Sequence, residues 1–433
     1  MSGLWERTGT KQLLQGVKLP RMVTVDQTFA RPILPVEEIP ATIIAGISDP
    51  RIASRIRPGM RIAVTAGSRG VANSALILKT ILDQVKAMGA EPFIVPAMGS
   101  HGGATSEGQE AILRDFGITE ETMGVPILSS MEVVYVGDTE DGEQVYVAKV
   151  AAEADGIIVN CRIKPHTSFR GPYESGIMKM MTIGLGKQVG AEACHRQGFK
   201  HMARMVPGMG RVILKNTPVL FAVACIENAF DETAEIHVVA AEDVDEQEPI
   251  LLQRAMDNLP RILADTCDVL IVDQIGKDIS GAGMDPNVTG VPYTPYVSGG
   301  MDSQNVVILD ITDATHGNPG GLGLATVTTR RAIEKVDLDA VYVNAITFKL
   351  LPGSELPLFM ENDRDAILLA LKGCLDIDED NPRVIRIQDS LHVGRIQVSE
   401  AYLDEIEANP RWTRVSEPEE MQFNDEGNLL PIK

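Results

Sequence analysis

Short apolar runs alternate with segments of helical period through most of this chain, and that alternation restricts the fold more than any other feature. Arg61–Ala66 is a compact apolar run. Over 73–88, Ile77, Ile81, Leu82, Val85 and Met88 follow at helical spacing, and Gly89 supplies a stop. Another strand is expected over 93–98, then a Gly-rich loop and a helix opening at Ser106, where Ser106-x-x-Gln109 reads as a capping box. Further strands are expected over 156–160, 219–226 and 236–240. Strands this apolar, separated by helices, need cover on both faces, which indicates a mostly parallel sheet inside a three-layer α/β domain.

The pattern restarts after the acidic stretch Glu242 to Glu248, which reads as solvated surface and as the domain boundary. A helix over 251–263 and strands over 269–272, 306–311, 341–344 and 384–387 make a second α/β unit. The expectation is two Rossmann-like domains, residues 1–245 and 246–399, with the active site in the cleft between them. The tail 400–433 is expected to pack back on the first domain. At 433 residues the chain is long enough for this division.

Charge narrows the partners. With 39 Lys and Arg against 60 Asp and Glu the net charge is −21, a surface that repels nucleic acid and anionic membranes. Five cysteines without CxxC spacing suggest a reducing compartment rather than a disulfide framework. With no apolar leader and no run of ~18 apolar residues, the cytoplasm is the expected location.

In open α/β sheets, ligands bind beyond the carboxyl ends of the strands. Three such ends carry reactive residues here: Gly67-Ser68-Arg69-Gly70, Gly99-Ser100-His101-Gly102-Gly103, and the segment from Arg162 through Pro165-His166 to Gly171. His101 and His166 each read about equally well as loop residues or as functional ones. Arg69, among small residues at a strand end, suits an anion. The segment 174–187 places Lys179 among Met, Ile and Gly, where an amine tends toward a lowered pKa, although a snorkelling lysine is the commoner case. His195 lies on an expected helix over 189–198, as a satisfied helix histidine or a metal ligand.

Together these residues resemble the nickel-pincer-nucleotide lactate racemase family, with its broader group of 2-hydroxyacid racemases and epimerases. Gly99-Ser100-His101 stands where that family has Gly-Thr-His, and Pro165-His166 where it has a second histidine after proline. Tyr173-Glu174-Ser175-Gly176-Ile177-Met178-Lys179 stands in place of its Gly-aromatic-Ser-Gly-Gly-Arg-Lys run, and His195 follows Lys179 at the family's separation of sixteen. Two features depart from the pattern: the stretch from His166 to Lys179 is longer, and Ile177-Met178 replaces Gly-Arg.

The resemblance implies a racemase or epimerase of a 2-hydroxy acid other than lactate. Its nickel-pincer nucleotide would be joined covalently to Lys179, with His195 as the nickel ligand. Arg69, Ser68, Ser175 and Gly176 would contact that cofactor, and His101 and His166 would be the two acid–base residues. The substrate carboxylate would fall to Arg69 with Lys277 or, second, Lys349. Cofactor-synthesis proteins would be required partners, and a homodimer is compatible with such a chain. Two alternatives stay open, a cofactor-independent lyase or dehydratase and a non-catalytic protein binding a metal or an anionic metabolite.

Overall fold

A computed structural model describes residues 7–348 and 350–432. They fall into two units, one made of residues 30–259 and the other of the N-terminal segment up to Phe29 together with Pro260 onward.

The first unit is built on a five-stranded sheet in the order Glu91–Pro96, Arg61–Ala66, Gly156–Arg162, Val219–Glu227, Thr233–Ala240. Its first four strands are parallel and the last is antiparallel. Alternate side chains enter different cores: Ile62, Val64 and Ala66 face the helices Ile39–Ser48 and Ser74–Ala87, and Ala63 joins the core of the helix Met202–Asn216. Two buried faces explain why these strands read as unbroken apolar runs. Because Arg61–Ala66 connects onward to a strand on one side while Gly156–Arg162 flanks it on the other, the chain reverses direction across the sheet between them. That is where an open sheet leaves a crevice at its carboxyl edge.

The second unit has its own sheet, with the parallel strands Leu358–Met360, Val327–Thr329, Asp302–Ile311, Thr266–Ile275 and Val384–Ile387. Antiparallel strands Arg395–Ser399, Arg21–Gln27 and Trp412–Arg414 extend it. Both units are thus α/β, as the alternation implied, the first sheet mostly parallel and the second parallel over the five strands from Leu358–Met360 to Val384–Ile387. Among the described residues no helix is long and apolar enough to cross a membrane, and all five cysteines are free thiols.

Four expectations need correction. The division falls at 259/260 rather than 245, because the helix Val244–Asp257 packs Val244, Leu251, Leu252 and Ala255 into a core of the first unit. The N-terminal segment and the tail both belong to the second unit, since Met22–Asp26 pairs with 395–399 and 412–414 completes the ladder. Residues 341–344 lie in the helix Leu338–Phe348, not in a strand. The helix Ser106–Asp115 is capped by Thr105, whose side chain accepts from the Gly108 amide, which leaves Gln109 for another purpose.

Candidate active site

The loop after Arg61–Ala66 carries Ser68 and Arg69. Ser68 Oγ lies 2.5 Å from His101 Nδ1, so two strand ends meet through this pair. Arg69 is exposed and forms no hydrogen bond or ion pair among the described residues. Partial burial and the neighbouring Arg162 lower its pKa.

His101 is held from behind. Gln109, fully buried, donates from Nε2 to the carbonyls of Gly99 (3.0 Å) and His101 (3.3 Å). Its Oε1 accepts from Lys187 Nζ at 2.8 Å. The following turn depends on Gly102, at φ +66°, where a Cβ would sit 2.5 Å from the Gly108 carbonyl carbon. The residue is exposed, yet desolvation by the surrounding protein, reinforced by Arg69 and Lys179, lowers its pKa to about 4. The ring is therefore neutral at pH 7.

His166 sits in a loop closed by two backbone hydrogen bonds between Lys164 and Ser175. Inside the loop, the buried Glu174 carboxylate accepts from the amides of His166 (2.6 Å) and Gly171 (3.1 Å), with Arg170 Nη1 at 3.4 Å. The Ser168 amide donates to His166 Nδ1 at 3.0 Å, so a neutral ring carries its proton on Nε2. Phe169 stacks on the ring with centroids 4.5 Å apart. Burial, then the charges of Lys179, Lys164, His195 and Arg170, lower its pKa.

Lys179 ends the short helix Ile177–Lys179, which continues as a π-helical stretch, Met180–Leu185, and then as the α-helix Lys187–His195. Such π-stretches are rare and gather at functional sites. The Lys179 amine is half-buried and has no hydrogen-bond or ion-pair partner among the described residues. Desolvation, aided by Arg69, brings its pKa down to about 8. His195, at the end of the same helical run, is placed differently from His166. Its Nδ1 donates to the Ala191 carbonyl at 2.7 Å, which leaves the Nε2 lone pair available. Phe199 packs edge-on against His195 at 5.7 Å and lies 6.4 Å from His166.

The expected residues of the first unit thus come together: Arg69 and Lys179 both act on His101, and Lys179 and His195 both act on His166. Ser175 contributes backbone pairing to Lys164. Gly176 serves packing, because Glu248 Oε1 occupies the place a Cβ would take. Lys277 belongs to the second unit, half-buried, with its amide bound to Thr315 Oγ1 and its pKa lowered by burial. Lys349 lies outside the described residues. No group of three or more His, Cys, Asp or Glu side chains converges as a metal site among the described residues.

Three supporting groups were not anticipated. Glu248, expected on the surface, is only 1% exposed, and its Oε2 accepts the Met178 amide at 2.9 Å at the start of the Lys179 helix. Burial raises its pKa to about 7. Its trace in the sequence is an acid on the apolar face formed by Val244, Leu251, Leu252 and Ala255. Glu174 and Lys187 are equally buried, but no local pattern marks them.

Residues 16–206 match the family model described as the lactate racemase N-terminal domain. Among solved structures, the lactate racemase apoprotein from Thermoanaerobacterium thermosaccharolyticum aligns with a TM-score of 0.48 and 14% identity, over 85% of this chain and 89% of that one. No curated protein matches the sequence.

Proposed function

We propose that this chain, whose residues 16–206 match the lactate racemase N-terminal domain, is an isomerase inverting a carbon that bears a hydroxyl beside a carboxylate. The observation that carries this reading is the pairing of Lys179 and His195 on one helical run. One offers an unpartnered amine with a pKa near 8, the other an imidazole whose Nε2 is left unengaged by the Nδ1 bond. These are the donor properties that a covalently tethered nickel-pincer nucleotide requires. Lys179 would hold the group through its amine as a thioamide, and His195 would supply one nitrogen to nickel. When bound, that group would supply a hydride acceptor and donor for the substrate carbon.

The chain's own residues do the rest. Arg69, without a carboxylate of its own, binds the substrate carboxylate. His101 takes the hydroxyl proton. Its low pKa in the unloaded protein reflects burial and two neighbouring cations. A carboxylate on Arg69 and an acylated Lys179 offset both charges and raise the basicity of His101 toward the range useful near neutral pH. His166 faces the reaction with a proton on Nε2, so in this arrangement it donates a hydrogen bond to substrate oxygen. To act as the second base it must release the Ser168 amide from Nδ1. Ser68 orients His101. A substrate other than lactate is proposed because Ile177-Met178 stands where the family has Gly-Arg, so no guanidinium directly precedes Lys179 and both side chains are buried in the core instead.

The test is intact mass and nickel content of protein co-produced with cofactor-synthesis proteins. The expected result is a mass increase mapped to Lys179 and stoichiometric nickel that is lost in His195→Ala, followed by inversion of a 2-hydroxy acid in a substrate panel. An unmodified chain without nickel, made beside a loaded control, would overturn the reading in favour of a cofactor-independent lyase or a binding protein.

A further inference from the structure

Lys187 is the most completely buried cation among the described residues of the first unit, at 0% exposure. No carboxylate answers its charge. Nζ donates to two neutral acceptors, the Pro96 carbonyl at 2.6 Å and Gln109 Oε1 at 2.8 Å. Its backbone adopts φ +55°, uncommon for a residue with a side chain. A buried ammonium in a left-handed conformation is expensive twice over, which argues for a purpose beyond filling space.

Its connections supply that purpose. Lys187 opens the helix Lys187–His195, so its backbone is continuous with Lys179 on one side and His195 on the other. Its side chain crosses to the end of the strand Glu91–Pro96 and to Gln109, whose amide nitrogen donates to the carbonyls of Gly99 and His101. The same two segments also touch directly. The Gly99 amide donates to the Gly184 carbonyl at 3.2 Å, and a Cβ on Gly184 would meet the Ala97 carbonyl oxygen at 2.8 Å. A charge-assisted hydrogen bond is about twice as strong as a neutral one, so the ammonium is the strongest link between the two segments.

We infer that Lys187, acting through Gln109, is a positioning residue that clamps the His101 loop to the helical run bearing Lys179 and His195, and so sets the distance between base and cofactor tether. Its bearing on catalysis rests on the role proposed for His101, but the clamp itself can be tested in the unmodified chain.

The experiment follows the seven histidines by NMR in isotope-labelled protein without cofactor, with His101 assigned from a His101→Gln variant. Lys187→Met removes the donors at similar volume. Gln109→Glu keeps an acceptor for Lys187, now as an ion pair, but loses both donors to the loop. In each variant the titration midpoint of His101 is expected to rise by about one unit or more as the released loop becomes solvated, while His166 keeps its midpoint. Lys187→Arg is expected to restore the original value. If Lys187→Met does not fold, Gln109→Glu carries the test, since it leaves no charge unpaired. An unmoved His101 midpoint in Gln109→Glu, or an arginine variant that behaves like methionine, would overturn the inference. Neither result depends on nickel, nucleotide or substrate, so failure here is distinguishable from failure of the racemase reading.

Discussion

Replacing Gly176 by alanine tests whether Glu248 anchors the helix that presents Lys179. The backbone at 176 is extended, with φ 176°, so alanine meets no conformational penalty there. Its Cβ would instead lie 2.2 Å from Glu248 Oε1 and 3.0 Å from Cδ. The carboxyl is fully enclosed and must shift, leaving the Met178 amide it now accepts at 2.9 Å. Overpacking of this kind costs about 1–3 kcal/mol, and an abandoned buried amide costs about 1–3 more. A loss of ~2–6 kcal/mol in a unit of this size lowers Tm by roughly 4–24 °C. Thermal and denaturant unfolding of Gly176→Ala would measure it. The mechanism is separated from general damage by repeating the change in a Glu248→Ala background. With the carboxyl gone, the added methyl should cost under about 1 kcal/mol, a coupling of at least ~1 kcal/mol between the sites. Additive effects, or a single variant as stable as the parent, would show that the Glu248 carboxyl is not what fixes this turn.

Two further outcomes are expected. Acylation of Lys179 by an amine-reactive probe, read by peptide mass, should rise with pH and level off above about 8, because burial and Arg69 hold the amine down. A rise continuing to ~10.5, as for exposed lysines, would mean that the site does not desolvate the amine. Side-chain ¹⁵N shifts of neutral His166 should show protonated Nε2 and acceptor Nδ1, with the reverse pattern for His195, whose Nδ1 donates to Ala191. Matching tautomers on the two rings would remove the basis for assigning them different roles.

The parts of the fold that were legible were those whose signal is local. Arg61–Ala66 is buried on both faces and reads as a strand from its own six residues. Arg21–Gln27 is also well buried, but its partners are 395–399 and 412–414, almost the whole chain away. No local pattern states which distant strand completes a ladder, so the unit to which the tail belongs is not legible in its own residues. Residues 341–344 misled for a different reason. Val341, Tyr342 and Val343 favour strands by side-chain type, yet within Leu338–Phe348 they take helical positions, with Tyr342 and Val343 exposed.

The site divides along the same line. The proposed site residues His101, His166, Lys179 and His195 can be nominated from sequence because reactive groups stand at strand ends or at fixed spacing within one segment. The groups that hold them were not nominated: Gln109 read as a capping residue, and Glu248 as part of a solvated acidic cluster. Both readings followed from composition, and both failed because the partners are tertiary, Lys187 for Gln109 and the Met178 amide for Glu248. Yet burying a carboxyl or an amide without a partner costs several kcal/mol, so a polar residue on an otherwise apolar helical face implies a partner elsewhere in the fold. Glu248 meets that condition from sequence alone, lying in register with Val244, Leu251, Leu252 and Ala255. Its partner turns out to be the first turn of the helix that carries Lys179. The acid on the apolar face was therefore pointing at the site, and periodicity, weighed before local charge, is the signal that would have found it.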